Sequence, residues 1–344
     1  MSTDQPDVRL IDAKGVPGFG LHPRPVTSIN HADFHSTRPT GGQYGKLAKW
    51  LQYKQFQFFG GLGDDLVFGC ALIDLHYLGA AFWYIHQPSS GRTFELRNKL
   101  PLARGVTLTS SPLDGTSSLR RRGRELRLEY RSHPRRTMLV GSWGEELAVE
   151  AWFEEGPDFQ PLVLCTPTGA TGWTYTQKAA GLPLSGTIRC PLGTFDLAAE
   201  GVHAVTDFTA GYLRRETNWC WASISGRMPT GNTLGLNLSC GVNETSFTEN
   251  CFWLDGRLEK VHSVAFEPPA LPSGTTWRIT SNDGKVDLRF QPQWAFGEHL
   301  DLWLLASAFD QHFGRYDGLL HLGDGTRVEV RNLPGFLEKH YARW

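Results

Sequence analysis

Proton transfer to a carbon skeleton calls for an acidic side chain set among aromatic ones, and one stretch of the chain supplies both. "DFTAGYLRRETNWCWASISG", Asp207 to Gly226, carries Asp207, Arg214, Arg215 and Glu216 ahead of Trp219, Cys220 and Trp221. A carboxyl group in an apolar pocket resists ionisation and can serve as an acid near neutrality. Protonation of an alkene or enol needs such an acid, and aromatic faces stabilise the cation that develops. Asp207 and Glu249, the latter opening "ENCFWLDG", are the paired carboxylates to which this chemistry points. Read as one strand from Tyr212 to Ser225, the stretch puts Arg214, Glu216, Asn218 and Cys220 on one face. Arg215, Thr217, Trp219 and Trp221 then share the other. Both faces pass from polar to apolar, so the segment is expected to run from a rim into an interior. Arg214 and Glu216 could close a rim salt bridge above two core tryptophans. Alternatively, Arg214 or Arg215 holds a polar substrate group at a pocket mouth walled by Trp219 and Trp221.

A second acid–base pair lies in "ALIDLHYLGAAFWYIH". On a strand, Asp74 and His76 share one face and Tyr77 the other, and a carboxylate can orient an imidazole two residues away. A buried polar pair closing a hydrogen-bond network would use the same residues. Lys178 in "YTQKAAG" could anchor a ligand carboxylate or could be a surface lysine at a strand end. No metal site is expected. His22, His31, Asp33 and His35 lie in an irregular, Pro-rich segment, and no closed or open ligand set can be assembled from them. Glycine-rich nucleotide loops and the G-x-S-x-G elbow are missing, so no cofactor is expected and a serine hydrolase has no support. "LRRRGR" at Leu119 to Arg124 reads as a solvated turn, because no aromatic stacking platform accompanies it. Nucleic acid is therefore not an expected partner; a hydrophobic small molecule is.

The elements that position these residues read as strands. "KVDLRF" alternates Val286, Leu288 and Phe290 with charged residues, and "RELRLEY" sets Leu126, Leu128 and Tyr130 on one face. Asp255-Gly256, Asp283-Gly284 and Asp324-Gly325 each stand between strand-like runs, as in two-residue type I′ hairpins, and "GGLGDD" at Gly60 to Asp65 reads as a further hairpin loop. The count of roughly sixteen or more short strands suits two barrel-like halves. Three segments are expected: an irregular extension over residues 1–45, a first β-domain over 46–192, and a second over 193–344, the break falling in "RCPLGTFDL".

A chain of 344 residues with a formal net charge of −1 has no global attraction to nucleic acid or anionic membranes. Its 12 Trp and 20 Phe suit wide barrels and apolar ligand sites. The most apolar window, Leu66 to Leu75, is too short to span a bilayer, so no stable membrane insertion is expected. With no readable leader, a cytoplasmic protein is expected, whose six scattered cysteines stay reduced and whose sequon at Asn243 is fortuitous. Unsealed sheet edges would allow copies to pair, which nothing in the sequence requires.

Several blocks resemble one bacterial family, that of the domain of unknown function 2804. They are "TYTQKAAGLPLSGTIR", "DFTAGYLRRETNWCWASISG", "GLNLSCGVNETSFTENCFWLDGRL", "WRITSNDGKVDLRFQP" and the closing "LPGFLEKHYARW". That family is distantly similar to the tandem calycin-like proteins, which include carotenoid 1,2-hydratases and AttH-like proteins. The resemblance implies an all-β fold of two calycin- or lipocalin-like antiparallel barrels or half-barrels with an apolar pocket. In the hydratases, acidic and aromatic residues protonate an isolated alkene, but their motif is not found here. The function expected is that of a cofactor-independent hydratase, isomerase or lyase acting on a hydrophobic molecule. Asp207 or Glu249 would be its acid, Arg214 or Arg215 its polar anchor, and Trp219 and Trp221 its cation-stabilising wall. A non-catalytic lipid or terpenoid carrier, or a scaffold with a filled interior, would use the same fold.

Overall fold

The computed structural model describes residues 7–242, 246–269 and 274–344; the sequon at Asn243 lies outside them. Among the described residues strands dominate, joined by one short α-helix, Lys46–Gln52, and all pairing among named strands is antiparallel. They form three sheets. The eight-stranded sheet runs Gly20–Leu21, Leu162–Thr168, Gly172–Pro183, His203–Tyr212, Tyr53–Leu62, Val67–Asp74, Leu78–Gln87, Arg92–Pro101. A seven-stranded sheet is built wholly from residues 106–196. The nine-stranded sheet contains all the strands from Glu216 onward, with the three long strands Val286–Leu302, Leu305–His321 and Arg327–Arg343 at its centre and toward one edge.

Burial follows from this layering. The Tyr53–Leu62 strand is almost continuously buried because both faces of the eight-stranded sheet are covered. Phe59 stacks toward Phe153 of the seven-stranded sheet, at 6.0 Å between ring centroids. Its neighbour Phe58 meets Trp221 of the nine-stranded sheet edge-on at 5.8 Å. Outer strands instead alternate. Val286, Leu288 and Phe290 are buried between exposed Asp287, Arg289 and Gln291, as period two requires. Those residues feed a second core, in which the nine-stranded sheet curls so that Leu236 and Phe252 share a cluster with Ile279 and Leu288.

The turns differ in detail from the hairpin expectation. Leu254 pairs with Arg257 across Asp255-Gly256, a two-residue turn with both residues at positive φ (49° and 80°), as type I′ demands. Asp283-Gly284 and Asp324-Gly325 sit in longer loops, closed by Gly284 N–H to Ser281 O and Gly325 N–H to Leu322 O. Gly60 to Asp65 does turn a hairpin, with Leu62 paired to Val67. The amino-terminal extension is anchored: Gly20–Leu21 joins the edge of the eight-stranded sheet, and Leu10, Ile11, Val26 and Ile29 are buried.

The chain passes from the eight- to the nine-stranded sheet at 213–215, some twenty residues beyond the break read at 192. The His203–Tyr212 strand still belongs to the first half, inserted between Gly172–Pro183 and Tyr53–Leu62. Tyr212 to Ser225 is therefore two strands rather than one. The sheets touch at a bulge around Gly181. Its φ of +84° suits glycine, and a Cβ there would sit 2.6 Å from the backbone nitrogen of Gly235. Ser225 stitches this seam, accepting from Gly181 N–H at 2.8 Å and donating to Ala204 O at 2.7 Å.

Candidate functional site

The eight- and nine-stranded sheets enclose a cavity of about 240 Å³. Antiparallel register explains its walls, since directly opposed residues share a sheet face. Across the first sheet, Lys178, Asp207, Phe58, Ala71, Phe82 and Arg97 are successive opposed residues, and all line the cavity. Across the second, Ser239, Trp221, Glu338, Gln311 and Phe296 form one such row, and Trp219, His340, Phe309 and Glu298 form the next. Aromatic and aliphatic side chains make most of the surface. The polar groups collect at one end, and a charged set that includes Arg97, Lys99, Glu298 and Arg343 lies elsewhere on the lining.

The polar end is built around a buried ammonium. Lys178 Nζ lies 3.0 Å from Asp207 Oδ2, 3.7 Å from Glu249 Oε1 and 4.2 Å from the centre of the Trp221 ring. Burial opposes its charge, but the carboxylates of Asp207 and Glu249 outweigh that and hold its pKa above the ordinary lysine value. Asp207 also accepts from Thr209 Oγ1 at 2.7 Å. Trp221 Nε1 donates to Asn237 Oδ1 at 2.7 Å, and Asn237 Nδ2 donates to Glu249 O at 2.9 Å, which fixes the indole and the Glu249 backbone together.

Glu338 stands opposite this group. Burial pushes its carboxyl up to about 7, with Asp207 contributing in the same direction. Trp219 Nε1 donates to its Oε1 at 2.8 Å and Gln311 Nε2 to its Oε2 at 3.0 Å, while Tyr84 O–H donates to Gln311 at 2.7 Å. Two residues on, His340 shares Ser307 Oγ at 2.9 Å and packs edge-on against Trp219; burial lowers it to about 3, so it is neutral. A carboxyl raised to about 7 can deliver a proton while it is protonated, and the indole faces of Trp219 and Trp221 in the same lining can face a cation.

Of the residues singled out in the sequence, Asp207, Glu249, Lys178, Trp219 and Trp221 meet in this cavity. Lys178 is 5% exposed, which overturns the surface reading. Asp207 lies in mid-strand rather than at a strand start, and Glu249 just before Cys251–Leu254. The parity within Glu216–Arg227 holds, with Thr217, Trp219 and Trp221 lining the cavity. Arg214 and Arg215 precede that strand and lie outside the lining. Arg214 donates to Gly241 O; Arg215 donates to Trp344 O at 2.7 Å and Leu304 O at 3.1 Å, latching the carboxy-terminal strand. Asp74 and His76 do meet, at 3.3 Å, but also outside the lining. The Val67–Asp74 strand ends there and His76 takes a φ of 68°, so strand parity does not apply to it; its ring stacks on Trp50. Tyr77 lies under the Lys54 ammonium at 4.6 Å rather than in the cavity.

Glu338 and His340 were missed. The available signal was parity in "FLEKHYARW", where Phe336, Glu338 and His340 alternate with Leu337 and Lys339. Among the described residues, no group of three or more His, Cys, Asp or Glu side chains is placed to hold a metal ion. No helix among the described residues is long and apolar enough to cross a membrane.

Fold and site together define an all-β protein of packed antiparallel sheets, with an apolar cavity carrying a buried acid–lysine cluster. The chain belongs to the domain of unknown function 2804 family, whose model matches residues 2–344. It is similar in structure to CghA, solved with Sch210972, at 10% identity and a TM-score of 0.58 over 96% of each chain. It also aligns with an AttH-like protein from Nitrosomonas europaea, at 12% identity and a TM-score of 0.46 over 83% of this chain and 92% of that one. For kievitone hydratase from Nectria haematococca, identity is 8% and the TM-score 0.47, over 85% of this chain and 89% of that one. Comparison with curated proteins gives no match.

Proposed function

We propose that the chain is a cofactor-independent enzyme that transfers a proton to an alkene or enol carbon of a hydrophobic small molecule held in the cavity. The observation that carries this reading is Glu338: a buried carboxyl lifted to about 7, aimed into an apolar chamber and oriented by Trp219 and Gln311. In this reading the acid role expected of Asp207 or Glu249 passes to Glu338, because Asp207 is committed to Lys178. Glu338 gives its proton to carbon, a C–H bond forms, and Trp219 and Trp221 face the resulting cation. Water adding to that cation, with its surplus proton passing back to the Glu338 carboxylate, would complete a hydration. Return of a neighbouring C–H proton to the Glu338 carboxylate would complete an isomerisation. Lys178, fixed by Asp207 and Glu249, would hold an oxygen of the substrate.

A carrier is the second reading, favoured by the mutual satisfaction of the polar groups lining the cavity and beside it, Trp221 with Asn237 and Lys178 with Asp207. Mass spectrometry of an organic extract of freshly purified protein, against a mock purification, supplies the compound to assay. Incubation in D2O should then place deuterium on a carbon of the product. Glu338→Gln should keep the ligand content and lose roughly 10²–10⁴-fold in turnover. Asp207→Asn should weaken retention of the ligand by loosening Lys178. Retained compound that neither wild type nor variant ever converts would favour the carrier.

A further inference from the structure

Two clusters of exposed apolar side chains flank the cavity. The first is the Lys46–Gln52 helix, which buries no residue and turns Leu47, Trp50 and Leu51 to solvent at i, i+3 and i+4 spacing. A helix normally spends that stripe on a core. The second is the tip of the longest hairpin, where Leu302, Trp303 and Leu304 are 58%, 85% and 56% exposed. Both clusters adjoin the cavity lining. Leu300 and Leu305 line it on either side of the tip. Trp50 stacks at 4.9 Å on His76, which follows the lining residue Leu75. Arg215 bridges the two: it donates to Leu304 O, and its charge acts on both Lys54 and Tyr77 behind the helix.

On the helix side the charge around these apolar tips is predominantly positive, and at the hairpin the acids Asp301 and Glu216 stand against Arg343. Residues 34–63 contain no Asp or Glu, and Lys46 and Lys49 fall among them on the helix itself. Exposed Arg104 lies beside exposed Leu102 in the turn that hydrogen-bonds to Tyr77 O, while Asp301 at the hairpin is paired with Arg343. A two-fold contact between copies of this face would set these cations against their own images. An anionic surface would complement them. Exposed tryptophan and leucine tips backed by lysine and arginine are suited to the interfacial layer of a bilayer, where indole rings and apolar side chains enter the headgroup region.

We propose that the Leu302–Leu304 hairpin tip and the Leu47, Trp50, Leu51 helix face form a collar that docks reversibly on an anionic lipid bilayer. The cavity then opens at the membrane surface, and an apolar ligand enters or leaves with little passage through water. The contact is peripheral and holds equally for an enzyme or a carrier. Co-sedimentation of the full chain with phosphatidylcholine vesicles, with and without phosphatidylglycerol, tests it. Wild type should pellet with the anionic vesicles, less with pure phosphatidylcholine, and less again as salt rises. The double variant Leu302→Ser, Trp303→Ser should lower the partition coefficient roughly ten-fold or more with its thermal midpoint unchanged, because the tip is solvated. Lys46→Glu with Arg104→Glu should abolish the preference for phosphatidylglycerol. Absence of wild-type binding, or equal binding by the hairpin variant, would overturn the proposal. So would a concentration-dependent dimer that the hairpin variant abolishes, which would make the face a self-interface.

Discussion

Glu338 and His340 carry opposite electrostatic burdens two residues apart on one strand face. Glu338 is raised from its ordinary value to about 7, so the folded state holds its proton more tightly than the unfolded chain does. Its contribution to stability is full below about 4.5 and is lost as pH rises through about 7, a swing of about 3 kcal/mol. His340 is depressed to about 3, so its contribution is present above the unfolded imidazole value of about 6.5 and is lost as pH falls toward about 3. Between roughly pH 4.5 and 6.5 the two slopes oppose each other. Denaturant melts across that window should be flatter for wild type than for either variant. Glu338→Gln should leave stability rising with pH, and His340→Gln should leave it falling. If Glu338 is the acid, turnover should also decline through a single ionisation near 7, measured as kcat against pH. A profile unchanged in Glu338→Gln would reject that assignment.

At the scale of elements, the decisive feature is register. Lys178 meets Asp207, and Trp221 meets Glu338, because they are directly opposed on neighbouring antiparallel strands. Gly181 and Gly235 allow the sheets carrying these rows to touch. Gly181→Ala should cost about 3 kcal/mol or more, since it adds a Cβ at positive φ against a backbone atom. Chemical denaturation measures this; a variant as stable as wild type would show that the seam is not tight. Much of this level was legible in the residues. Alternation in Val286–Phe290 and Leu126–Tyr130 marked strands and their inward faces, and parity paired Trp219 with Trp221. Parity failed where a strand ended unannounced. His76 at positive φ and the irregular step at 213–215 removed Asp74, His76, Arg214 and Arg215 from the faces assigned to them, because one non-strand residue resets the alternation.

At the scale of the whole molecule, the halves share a core. The main cluster joins Phe58 and Tyr84 of the eight-stranded sheet to Trp221, Phe296, Phe313 and Phe336 of the nine-stranded one. Tyr84 lies 4.7 Å from Phe296 and donates to Gln311 across the same gap. Separating the halves would expose this aromatic layer, so calorimetry should show one cooperative transition, raised by any ligand that binds only the folded cavity. Two well-resolved transitions would contradict a shared core. The sequence by itself determined the all-β class, the apolar alternation, the family blocks and five of the residues now found in the cavity, because each is written in local period and side-chain chemistry. Only the tertiary structure decided which carboxylate faces the cavity with its pKa raised by burial and which is held by Lys178. That choice depends on which strands are neighbours and how deeply each residue is covered, and both are set by contacts between residues far apart in the chain, as between Lys178 and Asp207 or Trp219 and Glu338.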